Sequence, residues 1–473
     1  MSPPPALPLP ELTAGEWPTV HLSPEPPRNL GSSLAGGIAR AQCDCDCACA
    51  VEGQGLLPTL SGPVACHLEL TAACPNRCPG CGNPFLDRRA PSATRPPLPV
   101  SGWERILDKL LPQVSLIKLT GGEPSNYRGL FPLLKLLRER GVPFVMLTNG
   151  RWPQPHLLLE RLSACPEFRG FLISLHGPDA RGHAGFTATP GSFAAAVSAI
   201  RLASQAGFPV SVSTVLVRAN LGRLTETADR ALALGACGVI FNRYIGPPIA
   251  GLTLSERGLQ RAVREAQSLI DAGLPVKFGN CVPQCFAPSS ATGCTAGRSF
   301  FTVDPWGNVR PCNHAPLAVG NLLDESLEGI WWSEGMTQWR EVATPECLDC
   351  AAYPRCAGGC RALSLGAEGD PLMRAPLASK PPHPPSELTL YASAVPRARY
   401  RVRHEPCGPA LVHDGRVLLV SPGTLAFLDR VDRRCTLSEI GARGGPAALS
   451  LIGGLYTQRM LDLCVRPPLG AES

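Results

Sequence analysis

The chain has 473 residues, enough for a large core and two or three domains. Its formal net charge is +6 with the basic residues scattered, and no basic stripe with interleaved aromatics marks a nucleic-acid partner. No apolar run approaches the about eighteen residues that span a bilayer, and the N-terminus lacks the basic-then-apolar order of an export signal. The sequence therefore implies a cytoplasmic chain with no membrane partner, and its 21 cysteines point to metal rather than disulfides.

Residues 1–60 open with the proline-rich run MSPPPALPLPELTAGEWP and are expected to be unstructured. They include QCDCDCACA, in which Cys43, Cys45, Cys47 and Cys49 alternate and would share one face of an extended chain. This reads as a low-complexity stretch; metal binding, electron relay and mimicry of a cysteine-rich substrate stay open. The apolar run VACHLEL then reads as a strand, and Cys74, Cys78 and Cys81 in TAACPNRCPGCGN lie on the loop after it. Three thiolates at this spacing can hold three irons of a 4Fe–4S cube and leave the fourth open. A structural zinc site would need a fourth ligand close by, and the next cysteine or histidine downstream is His156.

In SGWERILDKLL, Ser101 and Glu104 form a capping box ahead of the apolar positions Ile106, Leu107, Leu110 and Leu111. The strand-like LIKLT ends in Gly121, Gly122, Glu123 and Pro124. Paired glycines let the backbone approach a ligand closely, and the carboxylate after them can accept from an amino group. Further apolar runs follow at FVMLTN, FLISLH, VSVSTVLV and GVIFNRYI, at roughly thirty-residue spacing. Helix-like GLFPLLKLLRERG and GSFAAAVSAIRLASQAG lie between them, with Gly141 and Gly207 as stops. Such alternation implies βαβ units and a parallel sheet. In barrels of this kind chemistry sits at the carboxyl ends of strands, where Asn149, Ser174, His176, Asn242 and Arg243 fall.

The CxxxCxxC loop and the GGEP turn together resemble the radical S-adenosylmethionine (SAM) superfamily. The resemblance implies an α/β fold with a partial (β/α)6 TIM-type barrel over residues 61–280. It further implies that Cys74, Cys78 and Cys81 hold a 4Fe–4S cluster whose open iron chelates SAM. Gly121, Gly122 and Glu123 would meet the SAM amine, with Asn149 and Ser174 as further SAM contacts.

A second cysteine block follows: Cys281 and Cys285 in GNCVPQCF, Cys294, Cys312 in DPWGNVRPC, then Cys347, Cys350, Cys356 and Cys360 in ECLDCAAYPRCAGGC. The series C-x12-G-x4-C, then C-x2-C-x5-C-x3-C, resembles the SPASM extension of radical SAM enzymes, expected over 281–370 with auxiliary 4Fe–4S clusters. By that resemblance one cluster uses Cys294, Cys312 and Cys360 with Cys285 or Cys281, and a second uses Cys347, Cys350 and Cys356. Cys281 or Cys407 completes the second, or an iron there stays open. A proline-rich linker is expected over 371–398. Residues 399–465 carry short strands around Tyr400–His404, Ala410–His413 and Arg416–Val420, with a turn at Asp414–Gly415. Ser421 and Pro422 open a helix there, and a leucine-rich helix runs to about Leu463. This α+β pattern resembles the PqqD-like recognition element, which binds the leader of a ribosomally made precursor peptide by strand addition. Cys66, Cys165, Cys237, Cys435 and Cys464 read as small core residues.

The resemblance implies an oxidoreductase that cleaves SAM reductively and abstracts hydrogen from a substrate carbon. Electrons would come from a one-electron donor such as flavodoxin or ferredoxin. The outcome would be a thioether or carbon–carbon cross-link in a precursor peptide. Oxidation of a small molecule such as a tetrapyrrole, and a non-catalytic metal-binding scaffold, are the alternatives. Asp304, Glu123 and several histidines are candidate bases.

Overall fold

The computed structural model describes residues 18–23, 59–82, 95–279, 282–283, 286–287, 290, 293–342, 347, 350, 353–356, 358–365 and 387–465. The chain divides into two compact units, one of residues 40–381 and one of residues 1–39 with 382–473. Strand β1 (Thr19–Ser23) belongs to the latter.

In the larger unit the six apolar runs form β2 (Ala65–Glu69), β3 (Leu116–Thr120), β4 (Phe144–Thr148), β5 (Phe168–Ser174), β6 (Val210–Leu216) and β7 (Gly238–Arg243). They lie side by side and parallel. Between them run α1 (Val100–Leu110), α2 (Leu130–Glu139), α3 (Pro155–Ser163), α4 (Ala180–Thr187), α5 (Ser192–Gln205) and α6 (Leu224–Ala233), with α7 (Glu256–Asp271) after β7. Side chains alternate across each strand. Cys66, Leu68, Ile117 and Leu119 join Trp103, Ile106, Leu107 and Leu110 of α1 in the main core. Ala65, Leu116, Val145, Leu172 and Ile240 form a separate apolar layer on the opposite face, inside the curl of the sheet.

Two parallel strands flank the six: β8 (Val276–Phe278) beside β7, and β9 (Phe300–Val303) beside β2. Antiparallel β10 (Asn308–Arg310) and β11 (Gly320–Asn321) continue past β9. The end strands β8 and β11 are not paired with each other, so the barrel stays open. Strands β9 to β11 come from the block expected as a separate cysteine-rich domain, and the β2–β9 ladder makes them part of the barrel sheet.

At helix ends one expectation holds and one does not. Gly141 and Gly207 follow α2 and α5 with φ of +61° and +83°, the left-handed stop that glycine adopts without strain. The Ser101–Glu104 capping box does not form: α1 begins at Val100 behind Pro99, with no side-chain cap. Ser101 therefore lies inside the helix, and Glu104 instead pairs with Arg140 at 3.3 Å.

In the smaller unit β1 pairs parallel with β12 (Glu387–Tyr391), and β13 (Ala394–Ala398) pairs antiparallel with β17 (Leu461–Val465). A meander follows from β14 (Arg401–Glu405), β15 (Gly408–His413) and β16 (Arg416–Leu419). Its second turn uses Asp414 and Gly415 at φ of 43° and 76°, the conformation that a two-residue hairpin demands. Ser421 caps the helix Pro422–Val431, its hydroxyl accepting from the Thr424 N–H at 3.0 Å. The long helix Leu437–Thr457 breaks at Gly445, just before Pro446. Leu411, Leu418, Phe427, Ile440, Ile452 and Leu455 fill the core of this unit.

Three expectations are corrected here. Residues 19–23 and 387–398, assigned to the unstructured segment and the linker, form β1, β12 and β13, because alternating Val20, Leu22, Leu388 and Leu390 reach the core. The last helix ends at Thr457 and not near Leu463. Cys464 consequently sits on strand β17 and is exposed, while Cys66 and Cys165 are buried. The run Cys43–Cys49 lies outside the described residues.

Candidate functional site

The cysteine loop after β2 is clamped by three segments. From the glycine turn, Gly122 N–H donates to the Thr71 carbonyl at 2.6 Å and Glu123 N–H to that of Ala73 at 2.9 Å. A Cβ on Gly122 would stand 2.4 Å from the Ala73 carbonyl oxygen, and one on Gly121 (φ +137°) 2.7 Å from that of Thr71. Only glycine fits either position. From the end of β4, Asn149 Nδ2 donates to Cys74 Sγ at 3.4 Å and Arg151 to the Pro75 carbonyl at 2.8 Å. From the α4–α5 connection, Thr189 Oγ1 accepts from Arg77 N–H at 2.9 Å. Cys78 rests against Phe186, Val217, Leu252 and Tyr244. Burial, and then the neighbouring Cys81, raise the Tyr244 phenol.

Glu123 is fully buried and committed to the protein. It accepts from Ser125 N–H (3.1 Å), Ser125 Oγ (2.8 Å), Thr148 Oγ1 (2.7 Å) and Asn149 N–H (2.7 Å). Burial raises its pKa, and these bonds oppose the rise. Thr148 Oγ1 accepts in turn from Trp152 Nε1 at 2.8 Å. Three of these donors share Oε1 and one takes Oε2; the carboxylate fastens the end of β3 to that of β4. Ser174 faces Ser213 across the β5–β6 ladder, and its hydroxyl makes no hydrogen bond among the described residues.

The other strand-end candidates divide. His176 Nδ1 accepts from Val215 N–H at 3.1 Å, and His183 Nδ1 accepts from His176 N–H at 3.0 Å. Both rings act as acceptors and stay neutral: burial lowers His176 and takes His183 to about 4. His176 straps the end of β5 to β6, and His183 ties α4 to the same strand end. Asp304 closes the β9–β10 turn by accepting from Trp306 N–H, Asn308 N–H and Asn308 Nδ2. Asn242 donates to Ser213 Oγ at 3.0 Å, and both line a cavity with Arg243.

A second group forms from Cys294, Cys312 and Cys360. Cys294 and Cys312 share an apolar cluster with Ala296, Ala315 and Trp339. Burial, then the charges of Cys294 and Cys360, push the Cys312 thiol far up. Arg361 donates to the Cys294 carbonyl, and Arg310 donates to that of Asn313 while forming a buried ion pair with Glu69 of β2. Cys281 and Cys285 lie outside the described residues. Of the last set, Cys350 N–H donates to the Cys347 carbonyl at 3.1 Å. Cys347 and Cys356 both approach Gly358, whereas Cys350 is exposed. Cys407 is exposed on the β14–β15 turn of the smaller unit.

Among the described residues, no three His, Cys, Asp or Glu side chains converge closely enough for a single metal ion. A four-iron cube takes one thiolate at each separate corner. The two cysteine groups of this unit are the Cys74/Cys78/Cys81 loop and Cys294, Cys312 and Cys360. Between the two lies a cavity of about 290 Å³, bounded by Gly80 and Gly82 on one side and Cys294, Cys312 and Cys360 on the other. His67, Leu172, Ser213 and Phe300 line its depth. His314 spans it, its Nδ1–H donating to the Gly82 carbonyl at 2.9 Å, and burial lowers its pKa to about 4. Thr148, Arg151, Arg310 and His314 were not marked by the sequence, since each acts on a partner distant along the chain.

A cysteine loop at the mouth of an open parallel barrel, braced by a glycine turn, defines a radical SAM enzyme. The radical SAM superfamily profile matches residues 68–231, and the iron-sulfur cluster-binding SPASM profile matches 294–358. The chain belongs to the radical SAM superfamily and carries a SPASM auxiliary domain. It is similar to the AdoMet-dependent heme synthase of Methanosarcina barkeri, 26% identical over 55% of this chain and 81% of that protein. It is also similar to the PqqA peptide cyclase of Xanthomonas campestris pv. campestris, 29% identical over 75% of this chain and 97% of the relative. In fold it is similar to Streptococcus suis SuiB bound to precursor peptide SuiA. That match has a TM-score of 0.54 and 17% identity, and covers 68% of this chain and 76% of the other. Among the described residues no helix is long and apolar enough to cross a membrane.

Proposed function

We propose that this enzyme oxidatively modifies a ribosomally made peptide, forming a thioether or carbon–carbon cross-link. The observation that carries the reading is the cavity lying between the Cys74/Cys78/Cys81 loop and the Cys294/Cys312/Cys360 group. Its volume of about 290 Å³ is at the lower end of ligand pockets. That suits one or two side chains better than a tetrapyrrole macrocycle. The similarity to PqqA peptide cyclase and to SuiB with its precursor peptide supports the same substrate class.

In this reading Cys74, Cys78 and Cys81 hold the SAM-binding cluster, and SAM lies against Gly121, Gly122, Glu123, Asn149 and Ser174. Cys294, Cys312 and Cys360 hold one auxiliary cluster with Cys285 or Cys281, and Cys347, Cys350 and Cys356 hold another. When bound, cluster and SAM supply one-electron cleavage of SAM and hydrogen abstraction from a substrate carbon, and the auxiliary clusters supply an electron sink. The protein's part is to hold the cysteine loop rigid, to aim the substrate from the cavity and to exclude water. The meander β14–β16 would take the precursor's leader as an added strand. A flavodoxin- or ferredoxin-type donor and a reducing cytoplasm complete the setting.

The test is anaerobic reconstitution followed by dithionite reduction with SAM, counting iron and looking for 5′-deoxyadenosine. About 12 irons per chain, three cubes of four, with deoxyadenosine released and a neighbouring precursor peptide losing two hydrogens, is the expected result. Zinc in place of iron, or intact SAM, would sink it. The similarity to a heme synthase favours the small-molecule alternative, for which turnover of a porphyrinogen and not of the peptide would be decisive.

A further inference from the structure

Strands β3, β2 and β9 set Lys118, His67 and Thr302 in one row. His67 is the register partner of Lys118 on one side and of Thr302 on the other. The row stands one inward step along the strands from Leu116, Ala65 and Phe300, which belong to the apolar layer inside the sheet. Its three side chains therefore share that inner face, beside the cavity that His67 lines. All are deeply buried, with exposures of 1% for Lys118, 5% for His67 and 0% for Thr302.

None of the three is answered from among the described residues. Among the described residues His67 Nε2 and Thr302 Oγ1 are buried with no hydrogen-bond partner, and the Lys118 side chain makes no hydrogen bond or ion pair. The nearby acids are engaged elsewhere. Glu69, two residues along β2 on the same face, pairs with Arg310, and Glu123 and Asp304 are held by their own donors. A buried lysine amine without a hydrogen-bond partner is costly, and an unpartnered imidazole and hydroxyl beside it add to the cost. What would relieve all three is a small oxygen anion, which can accept from each at once.

We propose that the Lys118–His67–Thr302 row anchors a carboxylate of the substrate. On the peptide reading above, on which this rests, that group is an Asp or Glu side chain or the chain's own terminus. Of the three, His67 lines the cavity, so the row selects a peptide segment whose reacting carbon lies a few bonds from a carboxylate. Lys118 is then a specificity-determining residue, and a peptide lacking the acid loses its hold at the floor of the barrel.

The probe pair for the test is acetate and acetamide, alike in shape and different in charge, read by thermal unfolding of the reconstituted full-length protein at matched ionic strength. Ligand binding to the folded state raises the midpoint. Acetate is expected to raise it more than acetamide does. That difference should vanish in Lys118→Met, survive in Lys118→Arg, and persist when SAM is saturating. Equal shifts from both probes, or an undiminished acetate effect in Lys118→Met, overturn the proposal. Loss of the acetate effect under saturating SAM assigns the anion to SAM's own carboxylate and overturns the substrate assignment. Should Lys118→Met fail to fold, bromide-soaked crystals of the unaltered protein decide: an anomalous peak at Lys118 Nζ supports the site and its absence refutes it. These readouts need no turnover, so they fail or succeed independently of SAM cleavage and peptide modification.

Discussion

Gly122 has the Ala73 carbonyl where a side chain would begin, so its substitution acts on the cysteine loop directly. Gly122→Ala should displace Cys74, Cys78 and Cys81 and lower bound iron by about four per chain, one cube, leaving the auxiliary iron in place. An iron assay after reconstitution checks this. His183 makes a different kind of prediction. Burial takes its pKa from 6.5 to about 4, and its Nδ1 must stay unprotonated to accept from His176. The unfolded chain therefore binds this proton first as pH falls. The stability it contributes is full above about pH 6.5 and is lost as pH drops toward 4, about 3 kcal/mol in all. Thermal unfolding across that window should show the loss, and His183→Gln should flatten it.

Among elements, the break in the helix Leu437–Thr457 rests on one residue. Gly445 has φ 64° and ψ −167°, a region almost restricted to glycine, where any other residue costs about 1–3 kcal/mol. Nothing lies within 4 Å of a Cβ placed there, so Gly445→Ala should destabilise the smaller unit by backbone strain alone. A denaturant midpoint shift with unchanged slope is the expected signature. The six strands β2–β7 were legible in the sequence because both their faces are buried, which writes a continuous apolar run. Strands β8–β11 were not, being two to four residues long and defined by neighbours far along the chain. The site divided in the same way. The triplet Cys74, Cys78 and Cys81 is local and announced itself by spacing. Glu123 was found by its motif, but its bonds to Thr148 and Asn149 were not, because they cross from one strand end to the next. Lys118 left a signal in LIKLT, a charge at an inward position of a buried strand, which alternation alone could have flagged.

At the level of the whole molecule each unit has its own hydrophobic core, so calorimetry should resolve two transitions. Glu69→Gln offers a way to assign them. It strips the buried guanidinium of Arg310 of its carboxylate, and breaking such a pair costs about 3–5 kcal/mol. Only the transition of the larger unit should fall, while Gly445→Ala should lower only the other. A single transition, or one that responds to both substitutions, would contradict this division.

The loop bearing Cys74, Cys78 and Cys81 is fastened by Gly122, Glu123, Asn149, Arg151 and Thr189, all of them protein contacts that need no iron. Its shape therefore outlives its cargo. In a zinc finger, loss of metal is loss of the fold; here, oxidative destruction of a cube costs iron and leaves a cradle ready for refilling. Brief exposure to air should bleach the visible absorbance of the clusters with little change in far-ultraviolet dichroism, and fresh iron and sulfide should restore the colour without any refolding step. Damage to this enzyme is then a matter of maintenance in place, not of replacement.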